Sequence, residues 1–489
     1  MMRRIAGWAC LLPLAVSAST MPATTTTDWS ATLRQDAQAM HDDLAANHPG
    51  SVDPLNPAFA IANDRGLAMA LDRAKRTHGF AGYFFAMRAY AASFDDGHLA
   101  FNVPANDQPS MPWRWPGFLT AFSRDDAQRV VTRADDAPLP LGATLVSCDG
   151  KPASRVAADN VGSLVGRWQL RAQRLSYGGN VFLDHDNPWI SRPSRCVFDV
   201  DGHARTVTLA WRPIESAAVE QRLKATYRRE RDPIGMRTWP DGTVWITLSD
   251  FNGAPDGPAA KALEPLIARL RAERAAIVSA PRIVLDLRGN NGGSSDWSRQ
   301  VAEAIWGEAA VAATDKEDIV DWRASAANIA SIHEFAEELR KTPGSSKRML
   351  QWADLIVDGM GKAVQDGKPY WRAPPDVEAK TEHPSLPAPK ARVVMVTDSG
   401  CGSACLDAAD LWLALGAIHV GAETSADTLY MDNRRATLPS GIGHLNAAMK
   451  VYRGRTRGNN VPLLPKYPYD GDLTNTATLE RWIAALPPA

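Results

Sequence analysis

Much familiar machinery is missing from this sequence of 489 residues. It holds no Walker A loop, no GxGxxG fingerprint and no Ser-x-x-Lys motif. His333-Glu334 begins like a zinc-protease HExxH motif, but Glu337 stands where the second histidine belongs. A charge excess of either sign is also missing. Lys and Arg total 54 against 55 Asp and Glu, whereas nucleic-acid binders usually carry a basic surplus. Beyond the N-terminus no apolar run approaches the roughly 20 residues of a membrane helix. Cysteine is scarce, with five in all. Cys401 and Cys405 have no CxxC companion, so neither zinc nor any other metal is expected, and no organic cofactor is implied. Repeats and low-complexity tracts are absent.

What is present is a globular composition, 45% apolar and 22% charged. The chain is too long for one hydrophobic core, so two or three domains are expected. The N-terminus reads as a secretory signal over residues 1–18. Arg3 and Arg4 precede an apolar stretch from Ile5 to Val16, and Val16-Ser17-Ala18 is a small-residue cleavage site. The mature chain is expected to be periplasmic or secreted, with no integral membrane segment. Cys10 leaves with the signal, and Cys148, Cys196, Cys401 and Cys405 remain. Three pairings are open to them. Cys148 with Cys196 is preferred, since both lie in or beside predicted strands. Cys401 and Cys405 would close only a very short loop: paired, they would stiffen the turn that presents Ser403, but small, buried, reduced side chains are the preferred expectation.

Hydropathy patterning divides the rest. Residues 19–110 form an N-terminal helical region. Leu33, Ala37, Met40 and Leu44 recur at helical spacing, Asn47-His48-Pro49-Gly50 is a stop signal, and Gly82 to Phe94 reads as a buried helix. Residues 111–232 turn to strands. Cys196–Val200, Asp201-Gly202 and His203–Trp211 read as a hairpin, because Asp-Gly suits a type I′ turn. From 233 to 489 strands alternate with helices, the mark of an α/β fold. Strands are predicted at Val244–Phe251, Arg282–Leu287, Ala391–Thr397 and Ala417–Ala422, and the last three are nearly continuous apolar runs, as in strands buried on both faces. Leu263, Leu266, Ile267 and Leu270 mark one helix face between the first two. A mostly helical insertion spans about 297–365, with Ile329, Ile332, Ala336 and Leu339 on one side, and 367–390 is a proline-rich connection.

Three segments carry chemistry. Asp286-Leu287-Arg288-Gly289-Asn290-Asn291-Gly292-Gly293 closes a buried strand in a turn. Its glycines permit positive φ and leave amide hydrogens to meet an anion, or they simply make a tight turn. Ser399-Gly400-Cys401-Gly402-Ser403-Ala404-Cys405 joins a strand to an apolar helix. Ser403 there either caps the helix or acts as a nucleophile, with the helix N-terminus stabilising negative charge. It is not a Gly-x-Ser-x-Gly elbow, because both glycine positions are cysteines. His98, after Asp95-Asp96-Gly97, is the candidate base, since histidine titrates near neutral pH.

In this order the three segments resemble the C-terminal processing (tail-specific) serine peptidase family, which includes the tricorn-like peptidases and the interphotoreceptor retinoid-binding protein repeats. Asp286 to Gly293 matches its D-L-R-x-N-x-G-G hallmark, Ser403-Ala404 its S-A turn, and Asp96-Gly97-His98 its D-G-H. Val244 to Phe251 looks like its first core strand, and His48-Pro49 is a weaker match. The resemblance implies a core of ββα repeats, shared with the crotonase-like fold, and a PDZ-like β module carrying Leu141 to Pro152, made irregular by an insertion near 160–190. It implies Ser403 as nucleophile, with Ala404 N–H and Gly292 or Gly293 N–H as the oxyanion hole. One branch places a lysine about two dozen residues past the serine, but Glu423 to Asp432 contains none. The tricorn-like branch uses the D-G-H histidine, so His98 is the implied base. Departures remain. Gly97 stands where a serine often precedes the histidine, and no Glu occurs from Arg457 to Pro462. Asn459, Asp470 or Asp472 is left as the residue orienting His98. The expected function is a secreted serine peptidase acting on a peptide or protein substrate. A catalytically silent peptide- or ligand-binding protein on the same scaffold, or an esterase, are the alternatives.

Overall fold

A computed structural model describes residues 27–123, 125–227, 232–254, 256–314, 319–342, 347–374 and 385–487. The segment expected to be a signal, Cys10 and part of the proline-rich connection lie outside the described residues. Helices Trp29–Asn47, Ala58–Ala74 and Phe80–Ala92 open the chain. The first starts where Asp28 accepts the N–H of Ala31, relieving one orphan donor. Leu33, Ala37, Met40 and Leu44 are fully buried on its inner face, as their spacing predicts. Phe80–Ala92 is buried almost all round, because helices cover one side and Leu438 with the sheet residues Leu445 and Ala447 another.

That sheet is antiparallel. The long strand His444–Arg453 pairs with Ala100–Asn102, Tyr430–Thr437 and Ile319–Arg323, and the last of these pairs with Tyr370–Arg372. Little of it is legible in the residue pattern. Ile319–Arg323 lies inside the stretch read as a helical insertion, whose remaining elements are helices Ser295–Trp306, Glu308–Ala312, Ala326–Lys341 and Lys347–Gln365.

The central sheet has six strands. Gly235–Thr238 is antiparallel to Val244–Thr247, and Arg282–Asp286, Arg392–Thr397, Ile418–Gly421 and Tyr467–Pro468 follow in parallel. Alternation explains the apolar runs. Ile246, Ile283, Leu285, Val393 and Met395 face a layer containing helix Pro258–Ala272 and helix Ala404–Ala414. Trp245, Val284, Val394, Val396 and Val420 face the opposite core with helix Thr476–Ala484. Each fully buried aliphatic side chain contributes roughly 1.5–3 kcal/mol, so both faces anchor the strand ends that lead into the glycine turn and the Ser403 turn.

Strand Gly235–Thr238, strand Val244–Thr247 and helix Pro258–Ala272 follow one another in ββα order, and so do Tyr370–Arg372, Arg392–Thr397 and helix Ala404–Ala414, although Tyr370–Arg372 belongs to the antiparallel sheet. Later excursions between core strands leave to build the antiparallel sheet instead. A third sheet joins Phe118–Phe122, Gln128–Arg133, Thr144–Cys148, Arg195–Val200 and His203–Thr208 in antiparallel order, with Lys151–Pro152 beside Thr144–Cys148. The predicted hairpin turn is there, Asp201 at φ 52° and Gly202 at φ 83°. Short helices occupy most of 153–182. Cys148 pairs with Cys196 on neighbouring strands. Cys401 and Cys405 also form a disulfide, which corrects the expectation of free thiols. The turn that precedes helix Ala404–Ala414 brings the Cα atoms of Cys401 and Cys405 to 5.3 Å, within bridging distance.

Candidate active site

Strand Arg392–Thr397 ends in the core, and the chain turns through Asp398-Ser399-Gly400 into helix Ala404–Ala414. Asp398 holds this turn against the glycine turn: it accepts Gly400 N–H at 2.9 Å and Gly289 N–H at 3.0 Å. Ser403 stands just before the helix at φ 53°, ψ −127°, and its side chain makes no capping hydrogen bond. A non-glycine residue there is strained, and such strain gathers at functional turns. The backbone thus makes a sharp elbow without the glycine pattern of one. Two features support it. Ser403 N–H donates to the buried carboxylate of Asp427 at 2.7 Å, and the Cys401–Cys405 disulfide brackets the turn.

Gly292 presses on the elbow. A Cβ added at Gly292, whose φ is +101°, would lie 2.6 Å from Ser403 Cβ and 2.9 Å from Ala404 N. The oxyanion expectation divides here. Gly292 N–H donates to Asn290 Oδ1 at 2.9 Å and is already committed. Among the described residues the N–H groups of Ala404 and Gly293 have no acceptor.

His98 and Ser403 line one cavity of about 600 Å³, although 304 residues lie between them in sequence. The loop bearing His98 is fixed by Asp96, whose Oδ1 accepts His98 N–H at 2.8 Å. The same oxygen lies 4.0 Å from His98 Nδ1, and that nitrogen is buried without a partner. Behind Asp96 stands His48, fully buried, with Nε2 4.0 Å from Asp96 Oδ2. His48 Nδ1 accepts Gly50 N–H at 3.0 Å, which places its proton on Nε2, toward Asp96. Burial, with the nearby charge of Arg434, pulls the His48 imidazole down to about 3, so it is neutral at ordinary pH. Burial pushes the Asp96 carboxyl up, against the opposing pull of His98, Thr428 and Arg167.

Neither Asn459 nor Asp470 lines this cavity. Asn459 Oδ1 accepts Leu429 N–H at 3.1 Å and so closes a local loop, while Asp470 and Asp472 line a different chamber. The carboxylate beside His98 is Asp96, two residues away. Its signal was the D-G-H run itself, but adjacency in sequence does not reveal that the side chain folds back toward the ring. Asp427 and Arg167 were also missed. Asp427 sits two dozen residues past Ser403. Arg167 arrives from the third sheet's helical insertion, packs over Gly97 and donates to Ala426 O at 2.5 Å. No metal-binding group of three or more His, Cys, Asp or Glu occurs among the described residues. No described helix is long and apolar enough to cross a membrane.

No family model and no curated protein matches the chain. Solved structures do. Mature CPAF superposes with a TM-score of 0.55 at 13% identity, over 90% of this chain and 93% of that one. Mature CPAF complexed with lactacystin gives 0.54 at 13%, over 90% and 94%. The photosystem II D1 C-terminal processing protease is matched over 91% and 94% at 13% identity, with a TM-score of 0.34. At this identity the likeness is one of fold, and the chain has a mixed α/β fold similar to that of mature CPAF.

Proposed function

We propose that this protein is a serine peptidase with Ser403 as nucleophile and His98 as general base. The observation that carries the reading is the elbow at Ser403. Its hydroxyl is released from helix capping and shares a cavity with His98, beside two amide hydrogens without acceptors. With Nδ1 turned toward Asp96, Nε2 is the nitrogen left to take the Ser403 proton. The alkoxide attacks a peptide carbonyl, and the tetrahedral oxyanion is met by Ala404 N–H and Gly293 N–H. His98 then gives the proton to the leaving amine, and water attacks the acyl-enzyme by the same route in reverse. Asp96 takes the orienting role, and Gly292 supplies clearance rather than a hydrogen bond. The similarity in fold to CPAF and two disulfides suited to an oxidising compartment agree with a secreted peptidase.

Labelling of the purified protein with a fluorophosphonate probe, with mass mapping, tests this. Modification is expected at Ser403 and is expected to vanish in Ser403→Ala and His98→Ala. An unlabelled, folded protein would overturn the reading.

A further inference from the structure

Two imidazoles flank one carboxylate. His98 Nδ1 lies 4.0 Å from Asp96 Oδ1, and His48 Nε2 lies 4.0 Å from Asp96 Oδ2. His48 is fully buried, and the side chain of Asp96 is only 3% exposed. His98 Nδ1, Asp96 Oδ2 and His48 Nε2 are each buried without a hydrogen-bond partner. We propose that His48 is a positioning residue for the Ser403–His98 reaction, its Nε2–H holding the far oxygen of Asp96 so that the near oxygen orients the His98 ring. This role rests on the peptidase reading and adds the group that stands behind the carboxylate.

The His48 ring is fixed on all sides. Its backbone N–H closes helix Trp29–Asn47 on Leu44 O at 3.1 Å. The ring stacks on Phe59, centroids 4.3 Å apart, and meets the edge of Tyr430 at 5.0 Å. Tyr430 is in turn tied to Asp53 and Asn56. Phenylalanine would fill the same stack. Only histidine also accepts Gly50 N–H on one nitrogen and presents a proton to Asp96 from the other. Asp96 needs that proton. Burial disfavours its charged form, which Arg167, Thr428 and His98 support from their own sides, and a donor on Oδ2 favours the charge further. The charged form is the one that stabilises the imidazolium made when His98 takes the Ser403 proton. Burial and Arg434, the charge that faces His48, keep this donor neutral, so it supplies a hydrogen bond without adding a charge. Each 4.0 Å gap exceeds a hydrogen bond by roughly 1 Å. Catalytic hydrogen bonds are often long in an unliganded site and tighten when substrate docks.

Two amides separate the two sides of the ring. His48→Asn keeps an acceptor for Gly50 N–H and removes the donor toward Asp96, whereas His48→Gln restores a donor near the Nε2 position. With thermal unfolding as the check on folding, His48→Asn is expected to slow fluorophosphonate labelling of Ser403 on the order of tenfold, the size of one charge-assisted hydrogen bond. His48→Gln is expected to recover most of that loss. In the Asp96→Asn background His48→Asn is expected to add nothing, because the acceptor is already gone. Undiminished labelling of His48→Asn would overturn the role, as would losses that simply multiply in the double variant. Long-range proton–nitrogen spectra of the histidine rings test it in the wild-type protein with no substitution. His48 is expected to carry its proton on Nε2, and a proton on Nδ1 would overturn the role. A wild-type protein that is never labelled, yet holds the His48 proton on Nε2, would instead overturn the peptidase reading and leave the His48–Asp96 pairing standing.

Discussion

Gly292 and Ser403 touch so closely that no side chain fits between them: a methyl group at position 292 would lie 2.6 Å from Ser403 Cβ. The glycine turn after one core strand and the serine elbow after the next are therefore a single constellation. Adjacent parallel strands, in register from Arg282↔Arg392 to Asp286↔Val396, bring them together.

Gly292→Ala is accordingly expected to abolish Ser403 labelling by a fluorophosphonate. The new methyl must displace Ser403 or Ala404 N–H, and φ +101° is a conformation that alanine resists. A stability loss on the order of 1–3 kcal/mol accompanies it. Thermal unfolding would show whether the variant remains folded. Undiminished labelling would separate the turn from the chemistry.

Asp96→Asn is expected to lower the labelling rate at least about tenfold, because the isosteric amide keeps the bond from His98 N–H but loses the charge beside the imidazole. Stability should move the other way. Burial raises the Asp96 carboxyl above its unfolded value of 3.8, so the native state binds this proton more tightly. Its favourable contribution is present below the unfolded value and is lost as pH rises through the folded one. Asp96→Asn should thus melt higher than wild type at pH 8, and the difference should fade as pH falls toward 3.8. A variant less stable at pH 8 than at pH 4, relative to wild type, would contradict this.

The two disulfides are expected to separate stability from activity. Loop-closure entropy makes the bridge spanning 48 positions worth about 4 kcal/mol and the one spanning 4 about 2 kcal/mol. Cys148→Ser/Cys196→Ser should therefore lower the melting midpoint more, while folded molecules keep their Ser403 reactivity. Cys401→Ser/Cys405→Ser should cost less stability and more reactivity, since that bridge spans the elbow. Melting curves and labelling rates for both variants check the crossing.

Much of this molecule was legible from residue order alone. Four core strands, the Asp-Gly hairpin, and the helix faces at Leu33 to Leu44 and Leu263 to Leu270 follow from spacing, because burial selects side chains at fixed periods of 2 and 3.6. The antiparallel strands Tyr430–Thr437 and His444–Arg453 were not legible. Their polar and apolar residues mix, and partners nearly 350 positions away, Ala100 to Asn102, complete the sheet. Local pattern likewise nominated Ser403, His98 and the glycine turn. Only tertiary structure placed Asp96, rather than Asn459 or Asp470, beside the His98 ring, set Asp427 on Ser403 N–H, committed Gly292 N–H to Asn290, and closed Cys401 onto Cys405. The reason is physical. A motif records which groups a short backbone segment offers, whereas a hydrogen bond, an electrostatic shift or a steric limit depends on atoms from distant segments meeting within a few ångströms.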